Sequence, residues 1–353
     1  MLEKKNVNFF NGVVVMIKKY MLDFGYTDNE VDMVLSSYSL CRLKDKTLYS
    51  KIRKNLSMFI SMGYQNVDII KMTLICPSIC GLTLENFKKK VEEMLRLGYS
   101  ADDIIKIGKR LPAIYTYSIA TIRERIMDFE ILGYDKKSFM KMSKNLPSIY
   151  SFGMDNINNK IFELKKMGYR MEQIISITVK NPSIYAISMD NIKTKIGDIM
   201  MIGYNEREAI EMTVKFPQIF SLNIEYIKNK IDEMISLGYS KEQVLTMIKQ
   251  LPTLLGLKID NIREKKEFYD LIEISNCFVK DAKSLMQSVD LSYARYMFFK
   301  SIGIYIYKGN YKLLFMPQCR FYEKYGKTNE ELVIIYNYDN YKLKNNNKKR
   351  SLI

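Results

Sequence analysis

Apolar residues recur along most of the chain at helical spacing, in short runs bounded by glycine or proline. In the stretch that begins at Gly168, Ile174, Ile175, Ile177 and Val179 form one such set, and Ile192, Ile196, Ile199 and Ile202 form another. A stripe with this period predicts an amphipathic helix with one side against a core. Asn181-Pro182 separates the two sets. The residue before a proline is pushed out of helical geometry, so the first helix stops there. The proline itself opens a short turn or 3-10 segment, where its fixed φ is tolerated. Gly168 suits the left-handed position that closes the preceding helix. The pattern therefore predicts two long helices and one short 3-10 segment per unit.

The unit repeats. Proline stands at 77, 112, 147, 182, 217 and 252, and Gly-Tyr begins at 63, 98, 133, 168, 203 and 238, each series with an interval of 35 residues. A further Gly-Tyr begins at 25. Self-similarity at this period predicts an all-α fold, an α-solenoid of about seven repeats that stack into a curved superhelix. The first repeat is degenerate, with Arg42 where proline is expected. The expected organisation is an amino-terminal capping helix over 1–24, repeats over 25–270, a carboxy-terminal cap over 271–338 and a basic, disordered tail over 339–353. Ser240–Gln243 and Thr27–Glu30 read as capping boxes that start first helices. Thr83, Ser118, Ser188 and Asn223 read as caps of second helices.

Charge narrows the partner. Fifty-five Lys and Arg against 39 Asp and Glu give a net charge of +16. A chain this basic attracts polyanions, nucleic acid foremost, although solubility alone is a rival explanation. The absence of histidine excludes His-based triads and His-containing metal sites. The cysteines (Cys41, Cys76, Cys80, Cys277, Cys319) form no CxxC pair and read as reduced thiols. No metal or cofactor is expected. No apolar run approaches the roughly 18 residues of a membrane span, so no membrane partner is expected. Residues 1–20 carry Glu3 and lack Arg and Ser; they do not read as a presequence, which favours a cytoplasmic setting over a mitochondrial or other organellar one.

Stacking turns each repeat position into a row, so candidate contacts are compared down columns. Two residues after the start of the second helix stand Arg53, Lys88, Arg123, Asn158, Lys193, Lys228 and Arg263. Four residues after it stand Asn55, Lys90, Arg125, Lys160, Lys195, Lys230 and Lys265. The columns lie about 200° apart on a helix and cannot face the same way. The later column borders the apolar stripe and is followed three residues on by an acid (Glu93, Asp128, Glu163, Asp198, Glu233), which suits a ladder of ion pairs. The earlier column has no regular acidic partner in the sequence and is the better candidate for phosphate contact. A third set, Lys109, Arg110, Lys144, Lys180, Lys215 and Lys249, closes the first helices. It suits either phosphate contact or compensation of the helix dipole. The tyrosines of Gly-Tyr and Pro-x-Ile-Tyr recur with the apolar frame and read as core.

The unit Gly-Tyr, helix, Pro-x-Ile-Tyr, then Asn-Ile-x-x-Lys-Ile resembles the mTERF family of transcription termination factors and their relatives. The resemblance covers roughly residues 25–270. It extends into Leu291-Ser-Tyr-Ala-Arg295-Tyr-Met-Phe-Phe-Lys300-Ser-Ile-Gly303 and Phe321-Tyr-Glu-Lys-Tyr325. It implies a non-catalytic monomer that holds nucleic acid, double-stranded DNA ahead of RNA, with a role in transcription termination or regulation. It adds Arg295 and Lys300 to the candidate contacts. An RNA-binding gene-expression factor and a scaffold for an acidic protein partner remain the alternatives, because fold alone does not fix function.

Overall fold

The structure, a computed structural model, describes residues 2–37 and 47–339; for residues 2–12 it describes the backbone alone. Arg42, Cys41 and the expected tail from residue 340 onward lie outside the described residues. The rest is all helical, with no strand among the described residues. Two compact units are present, Met1–Ser188 and Met189–Ile353.

In the first unit, the helix Leu2–Phe24 precedes the repeats. The repeat that opens at Gly63 then shows the full pattern: a first helix Asn66–Ile75, a 3-10 segment Pro77–Gly81 and a second helix Leu84–Leu97. The same triplet recurs as Ala101–Arg110, Pro112–Tyr115 and Ile119–Ile131, then as Lys136–Asn145, Pro147–Tyr150 and Met154–Lys166. Local chemistry sets these boundaries. Gly98 closes its helix at φ 104°, a left-handed conformation that a side chain would strain. Thr83 and Ser118 accept from the amides of Asn86 and Thr121, and Thr27 forms its capping box with Glu30. Each of these first helices ends two residues before its proline.

The Gly-Tyr tyrosines tie one repeat to the next. The Tyr99 hydroxyl is 2.6 Å from Ser143 Oγ and 2.7 Å from the Tyr150 hydroxyl. Tyr134 repeats this with Thr178 (2.7 Å) and Tyr185 (2.5 Å). Burial pushes the phenols of Tyr115, Tyr150 and Tyr185 far above their ordinary pKa, so they stay neutral and exchange hydrogen bonds in the core. They present no face to a base. Gly108 stands in the Ser/Thr column; a Cβ there would lie 2.1 Å from the Tyr64 hydroxyl, which instead bonds Tyr115 at 2.6 Å.

In the second unit, helices Met189–Ile202, Ile224–Ser236 and Ile259–Leu271 alternate with first helices Glu206–Lys215 and Lys241–Gln250. The Ser240 capping box is formed. An eighth, shortened triplet follows: Cys277–Lys280, Ala282–Met286 and Val289–Ser301. Its Glu273-Ile274 falls 35 residues after Gly238-Tyr239. Glu273 adopts the left-handed φ of 58° that glycine holds elsewhere, and Ile274 is buried in the tyrosine's place. The segment after residue 270 thus continues the repeat with a truncated first helix and without the proline.

Candidate nucleic-acid interface

Basic residues two positions apart on the same helices have different surroundings. Arg53, Lys88, Arg123, Lys193, Lys228 and Arg263 are all exposed, one per second helix, with Asn158 exposed in the remaining repeat. In the first unit, Arg53 and Lys88 line a cavity of about 460 Å³ with Tyr49, Ser50, Lys54 and Ser57. Neither makes an ion pair among the described residues, and no acid lines the cavity. Arginine, lysine and hydroxyl donors converging without a carboxylate suit a phosphate.

The rest of this column is less free than its sequence suggests. Arg123 Nε and Nη2 lie 2.7 and 2.6 Å from Glu93 Oε1. Glu93, the acid expected to serve Lys90, is buried and held instead by the arginine of the next repeat. In the second unit, Lys228 pairs with Glu225 at 2.9 Å and Arg263 with Asp260 at 2.5 Å. These acids open the helix, where its dipole favours them, and stand three residues before the cation. Both pairs are exposed, so they are weak and exchangeable.

The four-on column is turned inward. Lys90, Lys160, Lys230 and Lys265 are buried, and Arg125 and Lys195 are half-buried. Lys160 Nζ donates to the Ile187 carbonyl. Lys195 donates to Leu222 O and Lys265 to Leu285 O, each at 2.5 Å. These acceptors lie at the end of the following repeat's 3-10 segment, where carbonyls lack a helical partner. Asn55 does the same with its amide, donating to Cys80 O and Leu82 O at 2.9 Å. The i,i+3 pairs also form: Arg125–Asp128 at 3.7 Å, Lys195–Asp198 at 3.8 Å and Lys230–Glu233 at 3.0 Å. Desolvation lowers the pKa of Lys90, Lys160 and Lys265. Lys160, Lys195 and Lys265, already donating to the main chain, and the buried Lys90 and Lys230 are poorly placed to meet a phosphate.

The third set divides. Lys109 pairs with Asp68 at 2.7 Å, Lys144 with Asp103 at 3.0 Å, and Lys249 with Glu208. Each acid sits in the first turn of the preceding repeat's first helix, so these lysines form rungs between repeats. Arg110 and Lys215 donate to Asn145 O and Lys249 O, each at 3.0 Å, which satisfies helix-end carbonyls. Lys180 is exposed.

Arg295 is 1 % exposed. Its Nη1 donates to Leu314 O (2.9 Å) and Met316 O (2.6 Å), its Nη2 to Asn329 Oδ1 (2.8 Å), and it lies 4.5 Å from the centre of the Phe321 ring. Burial lowers its pKa to about 10. It fastens the carboxy-terminal elements and does not reach a ligand; Lys300 is exposed. Sequence reasoning missed Lys54 in the first cavity. It also missed Lys136, Lys137 and Lys141, which line a second cavity with Lys144.

The fold and the exposed cations of each unit define a class: an all-α helical-repeat protein with basic side chains at its surface. Residues 120–272 match the mTERF family model, so this part of the chain is similar to that family. That family suggests a nucleic-acid-binding helical-repeat protein. Comparison with curated proteins gave no match. No helix among the described residues is long and apolar enough to cross a membrane.

Proposed function

We propose that the chain is a non-catalytic nucleic-acid-binding protein that holds double-stranded DNA through the exposed column Arg53, Lys88, Arg123, Lys193, Lys228 and Arg263, acting in transcription termination or regulation. The observation that carries this reading is the contrast along each second helix. Cations at one position are buried and bonded, while those two residues earlier are kept at the surface in every repeat but one. Structural need explains much of the first set, whereas in the second it is plain for Arg123, which holds buried Glu93. Lysine and arginine spaced by the repeat neutralise phosphates without reading bases, and such binding weakens linearly in log salt.

A labelled duplex of about 25 base pairs and an RNA of equal length, titrated across a salt series, test the proposal. Micromolar or tighter binding of the duplex, steep in salt and stronger than that of the RNA, is expected. Preference for the RNA would move the assignment to an RNA-binding factor. No binding of either at low salt would overturn it and leave an acidic protein partner as the reading.

A further inference from the structure

The repeat that opens at Gly133 breaks an electrostatic rule that the other complete repeats keep. First helices elsewhere carry acids in their first turn: Asp68; Asp102 and Asp103; Glu172; Glu206 and Glu208; Glu242. The helix Lys136–Asn145 carries none there and begins Lys136-Lys137. Cations at a helix start oppose the dipole and are destabilising. The inter-repeat rung is missing here, as it also is in the next repeat, where Gln173 and Val214 hold the two places. Asp68 and Asp103 each pair with a lysine 41 residues on, whereas Ser138 takes the acid's place and Val179 the lysine's.

These lysines share a cavity. Lys136, Lys137, Lys141 and Lys144 line a space of about 390 Å³ whose remaining walls are Leu97, Gly98 and Met140. No carboxylate lines it. Lys144 is held by Asp103, and the Asp135 carboxylate accepts from the Ser138 amide at 2.7 Å. Lys136, Lys137 and Lys141 make no ion pair among the described residues. The volume falls in the range of small-ligand sites, roughly 300–1,000 Å³. Local rules broken at a cost to stability mark functional positions.

We infer that this groove is a phosphate-binding site that takes two or more adjacent phosphate groups, from either a nucleic-acid backbone or a free polyphosphate. Three unpaired ammoniums are compact point charges, and several of them around one cavity suit closely spaced anionic oxygens. The site shares no residue with the column proposed to hold DNA and does not depend on that assignment.

Calorimetric titration of the full chain with tripolyphosphate tests the inference. The wild type is expected to bind, K136Q/K137Q/K141Q to bind at least about tenfold more weakly, and K283Q/K312Q, which changes exposed lysines that line neither cavity, to bind as the wild type does. The replaced lysines are exposed and oppose the dipole, so the melting temperature of the triple variant should hold or rise. The single variant K141Q, expected to show a smaller loss of the same sign, serves if the triple variant misfolds. Displacement of tripolyphosphate by a DNA duplex, with a duplex salt slope shallower by about 3 in the triple variant, assigns the phosphates to a nucleic-acid backbone. Tripolyphosphate binding that duplex does not displace assigns them to a free polyphosphate. Absence of wild-type binding, undiminished binding by the folded variants, or equally tight binding of an oligoglutamate would overturn the inference.

Discussion

Lys228 and Lys230 stand two residues apart on one helix and have opposite surroundings. Lys228 is exposed and paired with the helix-opening Glu225, whereas Lys230 is 5 % exposed and paired with Glu233. The same contrast runs through Arg263 and Lys265 in the second unit, and through Arg53 and Asn55, or Lys88 and Lys90, in the first. Net charge therefore overstates the surface available to a polyanion. Lys160, Lys195, Lys265, Arg110 and Lys215 act as long polar arms that satisfy the next repeat's carbonyls.

The strongest way to sharpen this contrast is to neutralise the exposed column. The variant R53Q/K88Q/K228Q/R263Q should lose duplex affinity by roughly 4,000-fold at 0.1 M salt, from about 0.9 log unit for each of four phosphate contacts. Its melting temperature should be near that of the wild type, because its ion pairs are exposed. Arg123 is left out of this set because its loss would strand buried Glu93. The converse change, Lys265→Ala, removes the donor to Leu285 O and a packed stem. It should destabilise by about 2–3 kcal/mol in denaturant unfolding, with duplex affinity unchanged once the protein is folded. Gly108→Ala probes the tyrosine ties that keep both columns in register. A methyl group 2.1 Å from the Tyr64 hydroxyl should cost about 2 kcal/mol in the same measurement. The smallest effect belongs to Arg123→Ala, about 1 kcal/mol, since the arginine is more than half exposed although Glu93 is not.

Much of the fold was legible because proline and glycine act locally. Pro112 ends a helix through its own ring, and Gly98 turns the chain through its own φ, so a period of such residues reports the architecture. The shortened triplet over Cys277–Ser301 escaped because Glu273 and Asp281-Ala282 occupy the places of glycine and proline, and because deletion within the first helix broke the interval. The site was legible in part. Helical phase separated the two columns, and the acid three residues after the later one pointed to its structural role. It gave no sign that Lys160 and Lys195 reach carbonyls 27 residues on, or that Glu93 serves Arg123 rather than Lys90. Those relations depend on stacking between repeats. The family's ending made Arg295 a candidate contact, yet its burial beneath Leu314, Met316 and Phe321 depends on how the last elements fold back. Lys136 and Lys137 could have been found in the sequence by asking which repeat lacks an acid after its Gly-Tyr.

The most direct test compares salt dependence of duplex binding for three proteins: the wild type, R53Q/K88Q/K228Q/R263Q, and K160M/K265M. The slope of log K against log salt should be shallower by about 4 in the first variant and equal to the wild type in the second. Equal slopes for the wild type and the exposed-column variant, or a shallower slope in K160M/K265M, would contradict the division of the cations into a binding row and a structural one.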